Sequence, residues 1–362
     1  MAKVGKKYVQ NNNPLIIMKL AIDGRVLTHK QITGVERYTI GLIEAFDKIG
    51  VPYDLIIPSI GNRYLQHFWQ HIILPTKAKS YDILFCPGNI APIWKPEKTK
   101  IVVTIHDLSF LYFPSAYSRA FRNYYRFAMP RILRISDAVL TVSDSEKQRI
   151  LSQYPFTGNK LYAIHSGINT EFLSCNVTYE KGNYILYVGS LNEKKNFQGV
   201  IKGFYNIINK IDCKLLVIGG TSNTFKKNSK MRAILQEIPE DKILFKEYMD
   251  KKKLVGLYRK ARLFLFPSFY EGFGFPPLEA MACGCPVVTS NTSSLPEVCG
   301  DAAYYVDPYS IENIAQGIYR VLIDENLRKT LIKKGLERVK LFCWKKAAKR
   351  ILEVFEEVMR NK

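Results

Sequence analysis

The sequence predicts an α/β protein with two parallel-sheet domains. Short β-branched runs alternate with longer helical patterns along the whole chain, which is typical of parallel strands covered by helices. At 362 residues the chain is long enough for two domains. The same alternation occurs on both sides of a short polar stretch at 166–182, so we expect two sheets rather than one.

The first half contains six predicted strands with helical patterns between them. The strands are expected at 16–22, 53–57, 83–86, 101–105, 138–142 and 161–164. The helices are expected at 35–49, 117–135 and 144–153. This half is predicted to form a domain over 18–170, and residues 1–17 are expected to form a flexible extension.

The second half repeats the pattern over 171–342. Its strands are expected at 184–188, 214–218, 243–245, 263–266, 287–289 and 303–306. Its helices are expected at 196–208, 229–236, 251–260, 277–283 and 311–322. Two further helical patterns, 326–341 and 344–359, follow the last strand, so segment 343–362 is free to cross back onto the first domain.

Composition and charge limit the function classes. Hydrophobic residues make up 47% of the chain and charged residues 23%, as in an ordinary globular protein, and no apolar run is long enough to span a bilayer. Seven cysteines without C-x-x-C spacing and the lack of a leader pattern favour a cytoplasmic protein. The net charge of +21 is spread over both halves and suits nucleic acid, an anionic membrane or phosphorylated small molecules.

The segment after the predicted strand 263–266 has the pattern of a ligand-binding loop. Gly272 and Gly274 let the backbone approach a ligand closely. Pro276 and Pro277 suit the opening of a helix, where a missing N–H costs nothing. The N-terminus of that helix is expected to stabilise phosphate.

Two carboxylates accompany this loop. Glu279 is expected in the first turn of the helix, and Glu271 lies in the loop itself. Carboxylates make strong bidentate hydrogen bonds to vicinal hydroxyls of ribose or hexose. A glycine-rich turn with two surface glutamates is the alternative, but strand, loop, helix start and spaced carboxylates together favour a binding site.

Seven residues separate Glu271 from Glu279, so the segment resembles the E-x7-E motif of retaining GT-B glycosyltransferases of family four, the glycosyl transferases group 1. The runs from Gly284 and from Ser294 are also similar to that family, most of all to its bacterial mannosyltransferase-like branch. The resemblance extends over 22–308. It implies a GT-B fold, in which an N-terminal acceptor domain and a C-terminal nucleotide-sugar domain, both Rossmann-like, face each other across a cleft.

The resemblance also implies roles for the loop residues. Glu279 would hold the ribose hydroxyls of the donor, and Glu271 would contact hydroxyls of the transferred sugar. Backbone N–H groups beside Glu271 would complete the donor site, and they belong to Gly272, Phe273, Gly274 and Phe275.

Lys194 and Lys195 follow the first predicted strand of the second domain. Two adjacent cations at a helix start would neutralise a diphosphate, which favours a donor site over solvated lysines. The family commonly has arginine followed by lysine here. Lys194 stands where that arginine is expected, and because lysine lacks the bidentate fork, a looser phosphate grip is expected.

The first domain offers a second group of candidates. Strand 101–105 delivers His106 and Asp107 to the carboxyl edge of its sheet, where α/β proteins bind ligands. The resemblance implies that His106 lies close to the reacting sugar, where it would position the sugar or ease charge in the transition state. Gly34 opens the first helix and offers an N–H group to phosphate.

Five other residues lie near the same predicted edge. Asp23 and Arg25 precede Gly34 on the rim, and Ser143 and the pair Ser166-Gly167 match cleft positions of the family. A structural role for these residues stays equally open.

The helical pattern 117–135 carries a basic face. Arg119, Arg122 and Arg126 share that face, with aromatic residues between them. Such a helix binds an anionic membrane peripherally or holds the phosphates of a lipid-linked acceptor. Asp107 is a further candidate for acceptor contact. A helix that packs its aromatics inward and solvates its arginines is the alternative.

The expected activity is transfer of a hexose from a nucleotide-diphosphate sugar to a glycan or lipid-linked acceptor in surface polysaccharide synthesis. The resemblance implies retention of configuration and favours GDP-mannose, while UDP- and dTDP-sugars stay open. No Asp-x-Asp occurs in the chain, so no metal or other cofactor is expected. The alternatives are a nucleotide-sugar epimerase and a non-catalytic protein that binds nucleotide-sugar or nucleic acid; without a nucleic-acid-binding motif, no nucleic-acid partner is expected.

Overall fold

The chain folds into two α/β units in a computed structural model. The first unit runs to Gly167 and includes the segment from Cys343 onward, and the second covers Ile168–Phe342. The sequence placed these boundaries after residues 170 and 342. The structure describes the ranges 18–29, 33–59, 63–173, 181–219 and 229–360. The expected extension at 1–17 lies outside these residues.

A parallel sheet forms the centre of the first unit. Its six described strands are β1 (Leu20–Asp23), β2 (Asp54–Ile56), β3 (Ile83–Cys86), β4 (Lys100–Ile105), β5 (Ala138–Thr141) and β6 (Leu161–Ala163). Their order is β2-β1-β3-β4-β5-β6. Strand β1 pairs on both sides, with Ile22 opposite Leu55 of β2 and Phe85 of β3. The chain therefore reverses direction across the sheet at β1, which leaves a crevice at the carboxyl edge.

Helices cover this sheet. They are α1 (Gly34–Ile49), α2 (Arg63–Phe68), α3 (Leu74–Ala78), α4 (Ser109–Tyr112), α5 (Arg119–Ile135) and α6 (Asp144–Gln153). A π-helical turn over Trp69–Ile73 joins α2 to α3 into one helical segment, 63–78. The sequence analysis did not predict this segment, because its apolar residues occupy both the buried and the exposed side of the helix.

The second unit has the same design. Its six described strands are β7 (Tyr184–Val188), β8 (Lys214–Ile218), β9 (Ile243–Lys246), β10 (Leu263–Phe266), β11 (Val287–Ser290) and β12 (Ala303–Val306). Their order is β12-β11-β10-β7-β8-β9, and all described pairs are parallel. The reversal falls between β7 and β10, where Phe264 pairs with Leu186.

Several helices of the second unit begin at polar caps. The helices of this unit are α7 (Thr170–Leu173), α8 (Phe197–Tyr205), α9 (Ser229–Glu237), α10 (Lys251–Lys260), α11 (Phe275–Ala282), α12 (Leu295–Cys299), α13 (Ile311–Ile323) and α14 (Glu325–Arg338). Asp250, Ser310 and Asp324 each accept a backbone N–H from the first turn of the helix that follows, which satisfies one of its unpaired donors.

Short 3-10 turns connect several of these elements. They lie at Arg25–Thr28, Pro114–Ala116, Pro155–Lys160, Glu193–Lys195, Ile208–Lys210, Gly300–Ala302 and Val339–Leu341.

The last helix, α15 (Trp344–Arg360), packs on the first unit, as predicted. The Trp344 ring meets the Tyr38 ring of α1 edge-on at 5.8 Å, and Phe355 meets Phe85 of β3 at 5.4 Å. Its apolar face is buried, so α15 completes the core of that unit. Every helix in the described ranges falls short of the length and apolarity needed to cross a membrane.

Alanine substitutions at two helix glycines distinguish the effect of α15 packing from the effect of helix propensity. A Cβ on Gly41 of α1 would lie 2.3 Å from Cε2 of Trp344, whereas a Cβ on Gly256 of α10 would meet nothing within 4 Å. We expect Gly41→Ala to lower the free energy of unfolding by about 1–3 kcal/mol through overpacking. Gly256→Ala should raise it by about 0.5–1 kcal/mol. Urea titration measures both changes, and equal effects would contradict the packing of α15 on α1.

Candidate active site

The predicted donor residues of the second unit lie at the carboxyl edge of its sheet, at the reversal between β7 and β10. The turn Glu193–Lys195 follows β7, and the loop 267–274 follows β10. Phe269 donates its backbone N–H to the carbonyl of Lys194 over 3.0 Å, which ties the two loops together. Ligands bind at such reversals in α/β sheets, so the position itself favours a binding site.

Lys195 and Glu271 form an ion pair across this reversal. The Lys195 Nζ lies 2.5 Å from Oε1 and 2.7 Å from Oε2 of Glu271, so both carboxylate oxygens share the ammonium group. The Lys195 and Glu271 side chains are only 17% and 8% exposed. The Phe266 ring lies 5.1 Å from the ammonium and adds to its apolar surroundings. The pair thus presents a cation and a hydroxyl acceptor at one place.

Lys194 contacts a different side chain from the one that Lys195 contacts. Its Nζ lies 5.7 Å from the centre of the Tyr270 ring, and the residue is half-buried. The two lysines therefore contact separate groups of the loop after β10, and both hold a positive charge at the carboxyl edge. Such charges attract a phosphate group.

Asn196 joins the loops of three strands. It is buried, with a left-handed backbone (φ 51°), and its Nδ2 donates to the carbonyls of Pro267 and Pro308 over 3.0 and 2.7 Å. Its Oδ1 accepts the N–H of Gly199 and so caps α8. Although Asn196 follows the lysine pair directly, the sequence analysis did not assign it a role.

A pair of serines after β11 clamps the Glu271 loop. The Ser293 hydroxyl donates to the Glu271 carbonyl over 2.5 Å and accepts the Glu271 N–H over 3.0 Å. The buried Ser294 hydroxyl lies 2.9 Å from the Glu271 carbonyl and 2.5 Å from that of Phe273. Ser293 adopts a φ of 62°, which is uncommon outside glycine and turns its side chain toward the loop. These contacts fix the backbone that carries the carboxylate.

The loop itself is packed against the unit. Gly272 is buried, and the Phe273 ring is 4% exposed and contacts the rings of Phe275 and Phe342 at 5.1 and 5.7 Å. Gly274 has a φ of 123°, a conformation that residues with a side chain rarely adopt. The aromatic side chains therefore anchor the loop, while its backbone turns sharply into α11.

The position of Glu279 differs from the prediction. Helix α11 begins at Phe275 rather than at Pro277, so Glu279 falls in the second turn and not the first. The helix starts earlier because Pro276 occupies a first-turn position, where proline is favoured. Glu279 is 3% exposed, and its Oε2 accepts a hydrogen bond from the Tyr258 hydroxyl of α10 over 3.2 Å. Tyr258 thus orients the carboxylate.

The ends of the paired strands β7 and β8 lie close together. Gly219 has a φ of 117°, and a Cβ there would lie 2.5 Å from the carbonyl oxygen of Gly189. The two strand ends can approach each other this closely because Gly219 lacks a side chain. The buried Tyr187 hydroxyl donates to the carbonyl of Ser190 over 2.9 Å and holds the chain after β7.

In the first unit, the reversal between β1 and β3 also gathers polar side chains. Asp23 is buried and accepts the N–H of Arg25 over 2.9 Å. Burial raises the pKa of Asp23 despite the nearby Arg25 guanidinium. Arg25 donates through Nε to Oε1 of Gln70 over 3.0 Å. Because Gln70 belongs to the helical segment 63–78, that unpredicted segment contributes directly to the edge.

His106 lies at the end of β4 as a buried, oriented imidazole. Its Nε2 lies 2.7 Å from the Pro87 carbonyl, which can only accept, so Nε2 carries the proton. Burial lowers the pKa of His106 despite that carbonyl and the Asp107 and Glu36 charges, so the ring is neutral with Nδ1 as its acceptor. The Tyr38 ring of α1 meets it edge-on at 4.7 Å.

A second polar side chain fixes the His106 backbone. Asn89, after β3, accepts the His106 N–H through Oδ1 over 2.5 Å and has a φ of 63°. The sequence analysis missed Asn89. A Pro-Gly-Asn run directly after a strand is the available signal, since asparagine tolerates this conformation better than most residues.

The chain after His106 is held by two carboxylates. Asp107 accepts the backbone N–H of Ser109 over 3.0 Å and also its hydroxyl, which starts α4. The buried Glu146 of α6 accepts the N–H of Leu108 over 2.9 Å. Asp107 therefore has a structural contact that the sequence did not indicate.

Glu36 organises the start of α1 beside Gly34. Gly34 is the exposed first residue of the helix, and Glu36 accepts the N–H of Thr33 over 2.8 Å, as in a capping box. Its Oε1 lies 2.6 Å from Nδ1 of His29. Burial by itself would raise the pKa of Glu36, but the contacts from His29 and Thr33 outweigh it and lower the pKa to about 2.

Two of the three remaining edge positions, Ser143 and Gly167, have identifiable structural contacts. Ser143 is buried and caps α6 by accepting the Glu146 N–H over 3.1 Å. A Cβ on Gly167 would lie 2.2 Å from the backbone nitrogen of Trp344, so glycine allows α15 to start there. Ser166 is fully buried.

The three arginines of α5 that the sequence analysis singled out are not equivalent. Arg119 and Arg126 are exposed, whereas Arg122 is half-buried. The rings of Tyr117, just before the helix, and of Phe121 and Tyr125 on it stack in a row, with Phe121 4.9 Å from Tyr117 and 4.3 Å from Tyr125. The helix therefore packs part of its aromatic face and still exposes a basic face.

Two family models match the chain, one over each half. The model described as Glycosyltransferase Family 4 matches 32–172, and the one described as Glycosyl transferases group 1 matches 170–338. The chain belongs to the family 4, group 1 glycosyltransferases. The E-x7-E loop of this glycosyltransferase lies within the second match.

Relatives and structures agree with this assignment. The glycosyltransferase is 27% identical over 267 residues to the O-antigen chain mannosyltransferase B of Escherichia coli, covering 71% of this chain and 70% of that protein. It is 24% identical over 277 residues to the serotype-specific mannosyltransferase WbdA of Escherichia coli, covering 72% of this chain and 34% of WbdA, so it spans about a third of that relative.

The fold matches solved structures over nearly its full length. Sucrose-phosphate synthase from Thermosynechococcus elongatus superposes with a TM-score of 0.73 at 20% identity, covering 95% of this chain and 100% of that one. The predicted fold class, a GT-B arrangement of two parallel α/β units, is thereby confirmed.

The contacts of Glu36 make the stability of the glycosyltransferase depend on pH. An unfolded glutamate has a pKa near 4.5, against about 2 for folded Glu36, so its contribution is fully present above pH 4.5 and is lost as the pH falls toward 2. The difference corresponds to about 3 kcal/mol. Glu36→Gln should lower the free energy of unfolding at neutral pH and flatten its acid dependence.

Glu44→Gln is the control for this change, because Glu44 lies on the exposed face of the same helix. Urea titrations of both variants between neutral pH and about pH 2 measure the effect. Identical acid dependence in the two variants would show that Glu36 is not held as described.

The Lys195–Glu271 pair should behave as a buried ion pair. Lys195→Met leaves the carboxylate without its counter-charge and should lower the free energy of unfolding by about 2–4 kcal/mol. The double replacement Lys195→Met with Glu271→Leu removes both charges and should restore most of that loss. Lys340→Met breaks an exposed pair with Glu337 and should change little. Urea titration gives the three values, and an additive double variant would contradict the pairing.

Proposed function

We propose that this glycosyltransferase moves a hexose, with mannose as the first choice, from a nucleotide-diphosphate sugar to a glycan or lipid-linked acceptor in surface polysaccharide synthesis. The observation that carries the proposal is the Lys195–Glu271 pair at the reversal of the second sheet. A donor needs a cation for its diphosphate and a carboxylate for its sugar hydroxyls, and the pair supplies both at one point.

The second unit binds the donor in this proposal. Lys194 and Lys195 balance the diphosphate charge, and the clamped carboxylate of Glu271 accepts hydroxyls of the transferred sugar. Glu279 accepts the ribose hydroxyls, and its bond from Tyr258 sets its orientation. Positive charges already held at the site stabilise the charge that develops as the diphosphate leaves.

The first unit supplies His106 and the acceptor site. A neutral imidazole with its acceptor nitrogen fixed by the Pro87 contact suits a hydrogen bond from a sugar hydroxyl. We assign it to positioning the transferred sugar. The reaction proceeds with retention in this proposal, since the family resemblance implies it, and without a metal, because lysines replace the charge that a metal would provide.

The choice of mannose as the donor sugar, and of the acceptor class, is based on the relatives. Both relatives reported above are named mannosyltransferases, one of them for the O-antigen chain. The exposed arginines of α5, Arg119 and Arg126 with Arg122 beside them, are assigned to anionic groups of the acceptor or of the membrane that carries it.

A thermal-shift panel tests the donor. The purified protein is titrated with GDP-mannose, UDP-glucose, UDP-GlcNAc and dTDP-rhamnose, with and without EDTA. At about 100 times its Kd a bound donor adds about 2.7 kcal/mol to the free energy of unfolding, which raises the midpoint. We expect GDP-mannose to give the largest shift and EDTA to leave it unchanged.

Two variants separate the roles of the glutamates. Glu279→Ala should lose the shift with GDP-mannose and with GDP alone, whereas Glu271→Gln should keep the shift with GDP and lose at least about 100-fold in transfer or donor hydrolysis. Glu325→Gln, on the exposed start of α14, is the control. A larger shift with a UDP- or dTDP-sugar would reassign the donor. No shift with any nucleotide would refute the catalytic assignment and favour a binding protein without catalysis.

A further inference from the structure

Tyr309 presents an exposed aromatic ring at the carboxyl edge of the second sheet, between β12 and α13. It is 72% exposed, the largest fraction for any large apolar or aromatic side chain in the part of the chain that the structure describes. Its ring stacks on that of Phe269, with the ring centres 4.8 Å apart and the planes inclined by 28°. Because Phe269 covers one face of the Tyr309 ring, the exposed area belongs to the other face.

Hydrogen bonds hold the backbone around Tyr309. Asp307 accepts the Tyr309 N–H through Oδ1 over 2.9 Å, and the Asp307 N–H donates to Oδ1 of Asn313 over 2.7 Å. The Pro308 carbonyl accepts a hydrogen bond from Nδ2 of Asn196 over 2.7 Å. The backbone of Tyr309 is therefore in place before a ligand arrives, which lowers the cost of ordering it on binding.

The ring beneath Tyr309 belongs to the loop that carries Glu271. Phe269 precedes Glu271 by two residues, so their Cα atoms are at most about 7 Å apart. The Phe269 N–H also donates to the Lys194 carbonyl over 3.0 Å. The platform, defined as the stacked rings of Phe269 and Tyr309, is thus part of the edge to which the proposed function assigns the transferred sugar.

Tyr309 and Glu279 are associated with opposite faces of the sheet. The chain passes from β7 to β8 in one direction and from β10 to β11 in the other, so right-handed crossovers place α8 and α11 on opposite faces. Helix α13 packs on α8, since a Cβ on Gly203 would lie 2.6 Å from Cγ2 of Ile314. Tyr309 leads into α13, whereas Glu279, assigned to the ribose, belongs to α11. This arrangement favours a ligand group other than the nucleoside for the platform.

The residues around Tyr309 suit a neutral ligand rich in hydroxyl groups. No lysine or arginine occurs in the sequence over 303–319, whereas Asp307 and Glu312 do, and Asp307 is exposed. A pyranose ring has polarised C–H groups on its faces, and these are attracted to the negative face of an aromatic ring. Its hydroxyls donate hydrogen bonds to carboxylates. A phosphate group would find no counter-charge in this segment.

We propose that the Phe269–Tyr309 platform is a subsite for a pyranose ring of the acceptor glycan. The Tyr309 ring packs on the C–H face of that sugar, and the Asp307 carboxylate accepts one of its hydroxyls. This inference rests on the proposed function, which makes a glycan the acceptor, and adds to it a sugar contact on the second unit. Because the transferred sugar is assigned to Glu271, the platform determines specificity for the acceptor.

Saturation-transfer NMR of the full chain tests the subsite. The probes are methyl α-mannoside, methyl β-glucoside and methyl β-N-acetylglucosaminide, each with and without GDP. We expect at least one glycoside to receive saturation, most strongly at the C–H protons of one ring face. Tyr309→Ala should weaken its affinity about 3- to 10-fold. Tyr309→Phe keeps the ring face and should bind as the parent does.

Tyr319→Ala is the matched control, because it removes a partly exposed tyrosine from the far end of α13 and should leave glycoside binding unchanged. Circular dichroism verifies that all variants are folded. A parent protein that binds none of the three glycosides would overturn the proposal. So would equal glycoside affinity in the parent and in Tyr309→Ala.

Thermal shifts with GDP and GDP-mannose separate the subsite from the donor site. Both shifts should be unchanged in Tyr309→Ala. Loss of the GDP shift would assign the platform to the nucleobase, and loss of the GDP-mannose shift alone would assign it to the transferred sugar; either result overturns the proposal. Failure of the subsite leaves the nucleotide shifts of the parent intact, whereas failure of the proposed function abolishes them, so the two failures are distinguishable.

Discussion

The reversal of strand order in each sheet is the constraint on which the site depends. In both units the chain leaves the first strand on one side and returns on the other, so the loops after two neighbouring strands separate and leave their backbone groups accessible. The polar side chains gather at these two points. Asp23 ends β1 and Arg25 follows it, and Lys195 meets Glu271 between the loops after β7 and β10. The buried strands hold the ends of these loops in place. Side chains on the loops therefore keep defined positions although the loops have no regular secondary structure.

At the carboxyl edge of each sheet, every buried carboxylate has a hydrogen-bonding or charged partner. Glu271 has the ammonium of Lys195, Glu279 the hydroxyl of Tyr258, Glu36 the contacts from Thr33 and His29, and Glu146 the N–H of Leu108. A buried carboxylate without such partners would be costly. The same contacts orient the side chains before a ligand arrives, so less ordering is needed at binding. Stability and pre-organisation thus have one physical origin here.

The sequence predicted most of the sheet framework, because parallel strands are continuous apolar runs. Ile83–Cys86, Tyr184–Val188 and Leu263–Phe266 begin and end where they were predicted. The segment 63–78 was missed, because its apolar residues occupy both the buried and the exposed side of the helix. The pairing of Lys195 with Glu271 could not be predicted from a local sequence pattern, because the two residues are 76 positions apart and only the strand order brings them together. Asn89, Ser293 and Ser294 act through backbone contacts that single-residue chemistry does not indicate.

The hydroxyls of Ser293 and Ser294 explain how a loop can hold the carboxylate of Glu271 firmly. The hydroxyls of Ser293 and Ser294 meet both backbone groups of Glu271 and the carbonyl of Phe273, while the Phe273 ring is buried beneath. Hydrogen bonds from the two serines and the packing of the Phe273 ring together fix this backbone. Only the side chain of Glu271 then retains freedom, and the ammonium of Lys195 limits it. A donor phosphate that draws Lys195 toward itself would weaken that hold and leave the carboxylate for the sugar hydroxyls, so diphosphate binding and sugar recognition would be coupled through one ion pair.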